Sequence, residues 1–287
     1  QLSAQHSLED IYPLSPTQEG LLFHNMHDSS SEAYFLQSHA RFTGTIDLEL
    51  LKRCINELVK VHGMLRTSFM IDEASVPLQV VHKEGTVPFE VIDLTQYSAG
   101  QQRSYIINYK REDVMRGMDV LGDEPLIHVT MFRLSDQESV MIWSQHHILM
   151  DAWCMSILTA QVINLYLKMS SSEEVPELPV VPQFKEYIQW LSSRDYDEAK
   201  SFWQDYLSGF EVPASVLGKK ANPKGLYETA RLESEISADK LTALRTLAQA
   251  SGTTLYVVLE SIWGLLLSRY NATDDVVYGR LLSGRPA

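Results

Sequence analysis

Trp143–Trp153 reads WSQHHILMDAW, and the fold turns on how this stretch is parsed. The residues leading into it, Val140–Gln145, are apolar and β-favouring, so they predict a strand. The residues that follow, Ala152–Lys168, repeat apolar side chains at helical spacing and predict an amphipathic helix. His146–Asp151 is then the loop between them. Two adjacent histidines stand where a strand ends, four residues before an acid that opens a helix. Neighbouring side chains on a strand point to opposite faces. If the strand runs through both, one imidazole is structural and points inward, and the other points into a cleft. Asp151 is placed to bond back to the loop or to pair with an arginine. A metal site is the other reading of His, His and Asp, but opposed faces spoil its geometry and no third clustered ligand is evident.

Working outward, Leu126–Arg133 is the strand paired with Val140–Gln145 through a turn at Ser135–Glu138. Upstream, Ser15 caps and Pro16 opens a helix in Leu14–Met26. Ala33–Phe42 alternates as a strand. Asp47 caps a helix with Leu48, Leu51, Ile55, Leu58 and Val59 on one face. Met64–Ile71 and Leu78–His82 are predicted strands around a turn at Ser75–Pro77, and Ser98–Arg116 is a charged helix. Downstream, Ser170–Pro182 (SSSEEVPELPVVP) reads as an extended linker. Phe184–Leu191 and Tyr196–Leu207 follow as helices, Lys219–Tyr227 as a loop and Leu232–Ile236 as a short strand. Ser237 caps a helix to Ala250, Thr253 or Thr254 caps another to Tyr270, and Asp274–Leu282 reads as a strand. Interspersed helices and strands predict an α/β layered fold in two lobes, residues 1–175 and 176–287, the second expected to be incomplete.

The 287 residues are 45% hydrophobic, ample for a core, and the net charge of −13 argues against a nucleic-acid partner. Cys54 and Cys154, the only cysteines, lie in apolar-periodic segments and read as free thiols in a reducing cytoplasm. The first residues lack a basic start followed by an apolar run. The most apolar stretch, Leu255–Leu267, is too short to span a bilayer and carries Glu260. A cytoplasmic protein without a membrane partner is expected. Trp143, Trp153, Trp190, Trp203 and Trp263 read as packing residues.

HHILMDAW resembles the HHxxxDG motif of nonribosomal peptide synthetase condensation domains, members of the chloramphenicol acetyltransferase-like (CoA-dependent acyltransferase) superfamily. Other segments agree in order. YPLSPTQEGLLFH (Tyr12–His24) resembles the family's opening motif, and VHGMLRTSF (Val61–Phe69) its RHxxLRTxF motif. VPQFKEYIQWL (Val181–Leu191) and FWQDYLSGF (Phe202–Phe210) resemble the entry to the second lobe. Thr253–Ala287 resembles the helix-strand-loop ending in SGRP. The resemblance implies a two-lobed fold with a tunnel between the lobes. It implies acyl transfer that forms a peptide bond: the free amine of an acceptor aminoacyl thioester attacks a donor peptidyl thioester. Both are held on phosphopantetheine arms of carrier domains, one upstream and one downstream, with an adenylation domain as neighbour. No directly bound cofactor and no metal is implied, and antibiotic or other secondary-metabolite biosynthesis is the setting.

The chemistry asks little of the protein. A thioester is already activated, so no covalent nucleophile is needed, and no GxSxG segment is present. The α-amine, with a pKa near roughly 8, is partly neutral unaided. A histidine, near roughly 6.5, suits removal of a proton from the tetrahedral intermediate. Held proximity can supply much of the acceleration. By resemblance, His147 hydrogen-bonds the amine, as base or as positioning group. His146 is structural. Asp151 pairs with an arginine, Arg285 first and Arg66 second. Ala152 and Trp153 line the acceptor side of the tunnel.

Two departures qualify the resemblance. Ala152 replaces the family's glycine: a positive φ there would strain the alanine, whereas a negative φ leaves a methyl that narrows the passage. A full domain also runs further, so this chain alone is not expected to turn over. The opening motif, HHILMD and the following Trp-Cys resemble the subtype taking a D-configured donor and an L-acceptor more than the L-to-L subtype. Epimerisation of a carrier-bound residue, and a degenerate domain that only docks carriers, remain the rival functions.

Overall fold

The computed structural model describes residues 8–27, 32–71, 76–171, 176–211, 214, 216 and 232–282. The chain divides into two compact units, Gln1–Arg194 and Asp195–Ala287. The lobe boundary expected at 175/176 lies inside the first of these, which also includes a helix resting on the first strand.

The first unit contains two sheets. One is fully antiparallel with strand order β1-β4-β3, from β1 (Leu8–Pro13), β3 (Thr67–Ile71) and β4 (Pro77–His82). The other has the order β2-β7-β6-β5, from β2 (Phe35–Thr43), β5 (Phe89–Asp93), β6 (Ile127–Ser135) and β7 (Glu138–His146). Its β5/β6 pair is parallel and the other two pairs are antiparallel. The helices are α1 (Pro16–His27), α2 (Leu48–Val61), α3 (Ala99–Arg116), α4 (Ala152–Ser171) and α5 (Phe184–Ser192).

The period-2 pattern of the β6/β7 hairpin sorts its side chains between two cores. Val129, Met131 and Trp143 face a core shared with α2 and α4. Phe132, Val140 and Ile142 face a second cluster with Leu94, against which Ile106 and Tyr109 of α3 rest. The inner stripe of α2, namely Leu48, Leu51, Cys54, Ile55, Leu58 and Val59, is entirely buried. Each such aliphatic side chain contributes about 2 kcal/mol. The Asp47 carboxylate caps α2 by accepting from the Leu50 amide. Cys54 is buried with its Sγ 3.8 Å from the sulfur of Met169, and both cysteines are free thiols.

Asp113 of α3 fastens that helix to the sheet. Its carboxylate accepts from Gln37 Nε2 at 2.9 Å, Ser144 Oγ at 2.6 Å and His128 Nε2 at 2.8 Å. Those three residues stand in register across β2, β7 and β6. Burial pushes the carboxyl up, but the hydrogen bonds and the His128 charge outweigh it and hold Asp113 below the usual carboxylate value.

The second unit contains α6 (Tyr196–Tyr206), α7 (Ala238–Ala250) and α8 (Leu255–Asn271). Asp195 caps α6 through two amides, and Thr254 caps α8. The strands expected at Leu232–Ile236 and Asp274–Leu282 are not formed: the described residues there have no regular structure. A strand exists only through a ladder, and Leu232 and Leu281, 97% and 94% exposed, have no partner strand among the described residues.

Other boundaries also shift. The strand expected from Met64 begins at Thr67, because Gly63–Arg66 winds into a 3-10 turn closed by Thr67 Oγ1 on the Gly63 carbonyl. The short strands β1 and β5 were not predicted. Of the expected linker, Ser170 and Ser171 complete α4 and residues 176–182 have no regular structure. The Ser75 side of the predicted turn, Glu173, Glu174, the Lys219–Tyr227 loop and the SGRP segment lie outside the described residues. Among the described residues no single helix is long and apolar enough to cross a membrane.

Candidate active site

β7 is an interior strand, and residues 142–146 are all buried. Its last ladder pair is Phe35 with His146. The chain then turns, the Leu149 amide donating to the His146 carbonyl at 3.2 Å. The His147 amide donates to the Tyr34 carbonyl at 2.8 Å. Tyr34 has a φ of 70°, a left-handed conformation that costs a non-glycine residue about 1–2 kcal/mol. Strain is therefore stored directly opposite His147.

The two imidazoles have different surroundings. His146 is 2% exposed, and its Nδ1 accepts from the Ile148 amide at 3.1 Å. A neutral ring accepting at Nδ1 carries its proton on Nε2, and that Nε2 has no hydrogen-bond partner among the described residues. Burial first, and then the charge of His147, lower the His146 pKa to about 4. At neutral pH His146 is thus an uncharged ring of fixed tautomer. His147 is half-buried, and among the described residues its ring makes no hydrogen bond.

Asp151 begins α4. Its Oδ1 accepts from the Cys154 amide at 2.9 Å and its carbonyl from the Met155 amide at 3.1 Å, an N-cap geometry. Arg285, the first arginine expected beside it, lies outside the described residues. Arg66, the second, is bound elsewhere. Its guanidinium donates to Glu9 at 2.5 Å, to the Val59 carbonyl at 3.1 Å and to the His82 carbonyl. It therefore ties β1, α2 and β4 together. Ala152 is the first residue of α4. Tyr34 and Ala272 are the non-glycine residues with positive φ among those described, so the methyl at 152 meets no backbone strain. Trp153 is 59% exposed.

Sequence reasoning missed a pair of buried amides. Gln18 Oε1 accepts from the Ser15 amide at 2.9 Å, the capping box of α1. Gln18 Nε2 faces Gln79 Oε1 and the Ile148 carbonyl, both at 3.3 Å, and Gln79 Nε2 returns a bond to Gln18 Oε1 at 3.1 Å. The Ser15–Gln18 spacing signals the cap in sequence, but nothing local signals a partner 61 residues away.

A cavity of about 190 Å3 lies between the start of α4 and Met64, Leu149, Met150 and Phe184, and a more open one of about 450 Å3 lies by the Asp10–Lys185 ion pair. His147 lines neither. Among the described residues no three potential metal ligands cluster.

Comparison with known proteins adds the following. A family profile described as "Condensation domain" matches residues 8–287. Bacitracin synthase 1 of Bacillus licheniformis is 36% identical over 286 residues, covering 98% of this chain and 5% of that protein. Gramicidin S synthase 2 of Brevibacillus brevis is 35% identical over 281 residues, covering 98% of this chain and 6% of that protein. The starter condensation domain of rhizomide synthetase RzmA superposes with a TM-score of 0.68 at 16% identity, covering 96% of this chain and 64% of that one. The four-domain nonribosomal peptide synthetase AB3403, solved in its holo form with AMP and glycine, gives a TM-score of 0.74 at 18% identity over 93% of this chain and 20% of that one. The structural likenesses speak for the fold. The chain spans about a twentieth of the length of the two curated synthetases.

Proposed function

The chain belongs to the condensation-domain family, and we propose that it forms amide bonds between carrier-bound substrates, with His147 as the group that contacts the attacking amine. The observation that carries this reading is the contrast at the end of β7. His146 is buried and engaged through Nδ1, while the half-buried imidazole beside it has its backbone fixed at Tyr34 and no side-chain partner among the described residues. An imidazole held this way is available to a ligand.

In the proposed reaction the acceptor α-amine attacks the donor thioester carbonyl. A C–N bond forms and the C–S bond breaks. The proton lost by nitrogen passes, with His147 hydrogen-bonded to that nitrogen, to the departing thiolate of the donor arm. His146 and Asp151 act indirectly, the first on the backbone of residue 148 and the second on the first turn of α4. Ala152 and Trp153, exposed at the start of α4, are read as the acceptor side of the passage.

The phosphopantetheine arms of an upstream and a downstream carrier domain are the substrates' handles, and an adenylation domain is the expected neighbour within one multidomain cytoplasmic polypeptide. Residues 1–175 are read as the N-terminal lobe and 176–287 as part of the C-terminal lobe. The donor is read as D-configured, on the strength of the opening motif and the HHILMD segment. Mixing the multidomain polypeptide with donor- and acceptor-loaded carriers, followed by mass spectrometry, tests the function. Amide product on the acceptor carrier supports it. Racemised donor, or binding without change, refutes it.

A further inference from the structure

Residue 148, next to the proposed reacting imidazole, is held at both of its backbone polar groups by buried side chains. Its amide donates to His146 Nδ1 at 3.1 Å, and its carbonyl accepts from Gln18 Nε2 at 3.3 Å. Gln18 is 4% exposed and Gln79 is fully buried. Together they exhaust the amide's capacity at Gln18. Oε1 accepts from the Ser15 amide and from Gln79 Nε2, and Nε2 donates to Gln79 Oε1 and to the Ile148 carbonyl. Gln79 in turn donates to the Pro13 carbonyl at 2.9 Å, which fixes its own orientation from β1. With Gln18 fully bonded and both hydrogens of Gln79 Nε2 donated, the buried pair has one low-energy arrangement, because rotating either amide would leave donors facing donors without solvent.

We infer that Gln18, oriented by Gln79, is a positioning residue that sets the backbone of the His147 loop and hence the placement of its imidazole. The inference rests on the assignment of the reacting group to His147. Chemistry explains why glutamine is needed. A capping box asks only for an acceptor at this position, and glutamate supplies that equally well. The donors toward Gln79 and Ile148 are what only the amide provides. The Tyr34 carbonyl holds the residue before Ile148, accepting from the His147 amide at 2.8 Å. The loop is thus gripped at 147 from Tyr34, the residue before β2, and at 148 from α1, by segments far apart in sequence. Small displacements at such a point are costly for reaction, since misplacement by about 1 Å can lower a rate by up to roughly a hundredfold.

The test separates the cap from the grip with Gln18→Glu, which keeps the cap acceptor and loses the donors, and Ser15→Ala, which removes the cap hydroxyl and keeps the amide pair. Two readouts are taken: hydrogen exchange at the His147 and Ile148 amides, and single-turnover amide formation in the multidomain polypeptide with loaded carriers. With Gln18→Glu, exchange at the two amides is expected to quicken by roughly tenfold or more, and the single-turnover rate to fall about tenfold with carrier affinities nearly unchanged. Ser15→Ala should lower the melting temperature and spare both readouts. Should Gln18→Glu not fold, Gln79→Met, which leaves the cap intact, is expected to shift the same readouts in the same direction by about threefold. Unchanged exchange in the folded glutamine variants overturns the inference, whatever the turnover. Absence of amide product from the unmodified polypeptide overturns the function proposed for His147, while the exchange result still decides the grip.

Discussion

Around Ser144, β7 buries a charge; at His146–His147, two residues further, it ends in neutral rings and amides. In the first region the Asp113 carboxylate collects bonds from three strands, and Arg116 approaches it at 3.6 Å from the exposed side. Every side chain named there points at another. In the second, His146 is engaged at one nitrogen, while the ring of His147 has no hydrogen-bond partner among the described residues. Both regions are polar and both rest on the same strand, yet only one is closed upon itself. A saturated cluster holds structure, whereas an imidazole with a fixed backbone and an unengaged ring is free to meet a ligand. Buried polar residues alone therefore do not mark the proposed site; what distinguishes His147 there is unspent hydrogen-bonding capacity on a ring that is only half-buried.

The contrast is broken most forcefully at Asp113. Asp113→Ala leaves Ser144, Gln37 and His128 without their acceptor, and unfolding by urea should show a loss of about 3 kcal/mol. Turnover by the fraction that remains folded should stay near that of the unmodified protein. A loss of turnover without a loss of stability would mean that the closed region takes part in the reaction.

Acid should separate the two regions by window. His146 has a folded pKa of about 4 against an ordinary 6.5. As pH falls below 6.5 the unfolded chain takes up the proton first, so stability declines until about pH 4 and is flat below, a loss of roughly 3 kcal/mol at most. Asp113 acts in the other order. Its folded pKa lies below the ordinary 3.8, so its contribution is present above that value and is lost as pH falls through the folded one. Chemical denaturation at a series of pH values should show two successive declines, and His146→Asn should abolish only the upper one.

The proposed D-donor preference sharpens the reading of the open region: D-configured donor thioesters should condense about tenfold faster than their enantiomers, as product ratios would show. The smallest effect belongs to Ala152→Gly. The alanine sits at negative φ at the start of α4, so the glycine should cost less than about 1 kcal/mol in stability. It should preserve or raise condensation; slower turnover would refute the idea that the methyl narrows the acceptor side.

Much of this organisation was legible in the sequence wherever a local rule governs it. Asp47 before Leu48, the stripe along α2 and the alternation of β6 and β7 each carry their own instruction. The strand-loop-helix around His147 was legible for the same reason. The sequence places Asp151 to bond back to its loop or to pair with an arginine, and does not specify the cap it forms on α4, although an acid before a helix is a familiar signal. What escaped depends on pairings across the chain. β1 and β5 are short and become strands only beside β4 and β6, whereas Asp274–Leu282 has strand composition and no ladder. The second unit shows the same limit. α8 is apolar all round, a pattern that ordinarily means burial, yet Leu265 is 62% exposed and only Val258 and Leu267 are buried. Gln18, Gln79 and Tyr34 escaped too, because their importance lies in reaching residues 147 and 148 from elements that no local pattern connects.

The most direct measurement of the central claim is the single-turnover rate of His147→Ala in the multidomain polypeptide, with both carriers loaded and the variant's fold checked by circular dichroism. The account expects the folded variant to lose roughly a hundredfold or more of its condensation rate, while carrier affinities hold. A folded variant that condenses at the unmodified rate would contradict it.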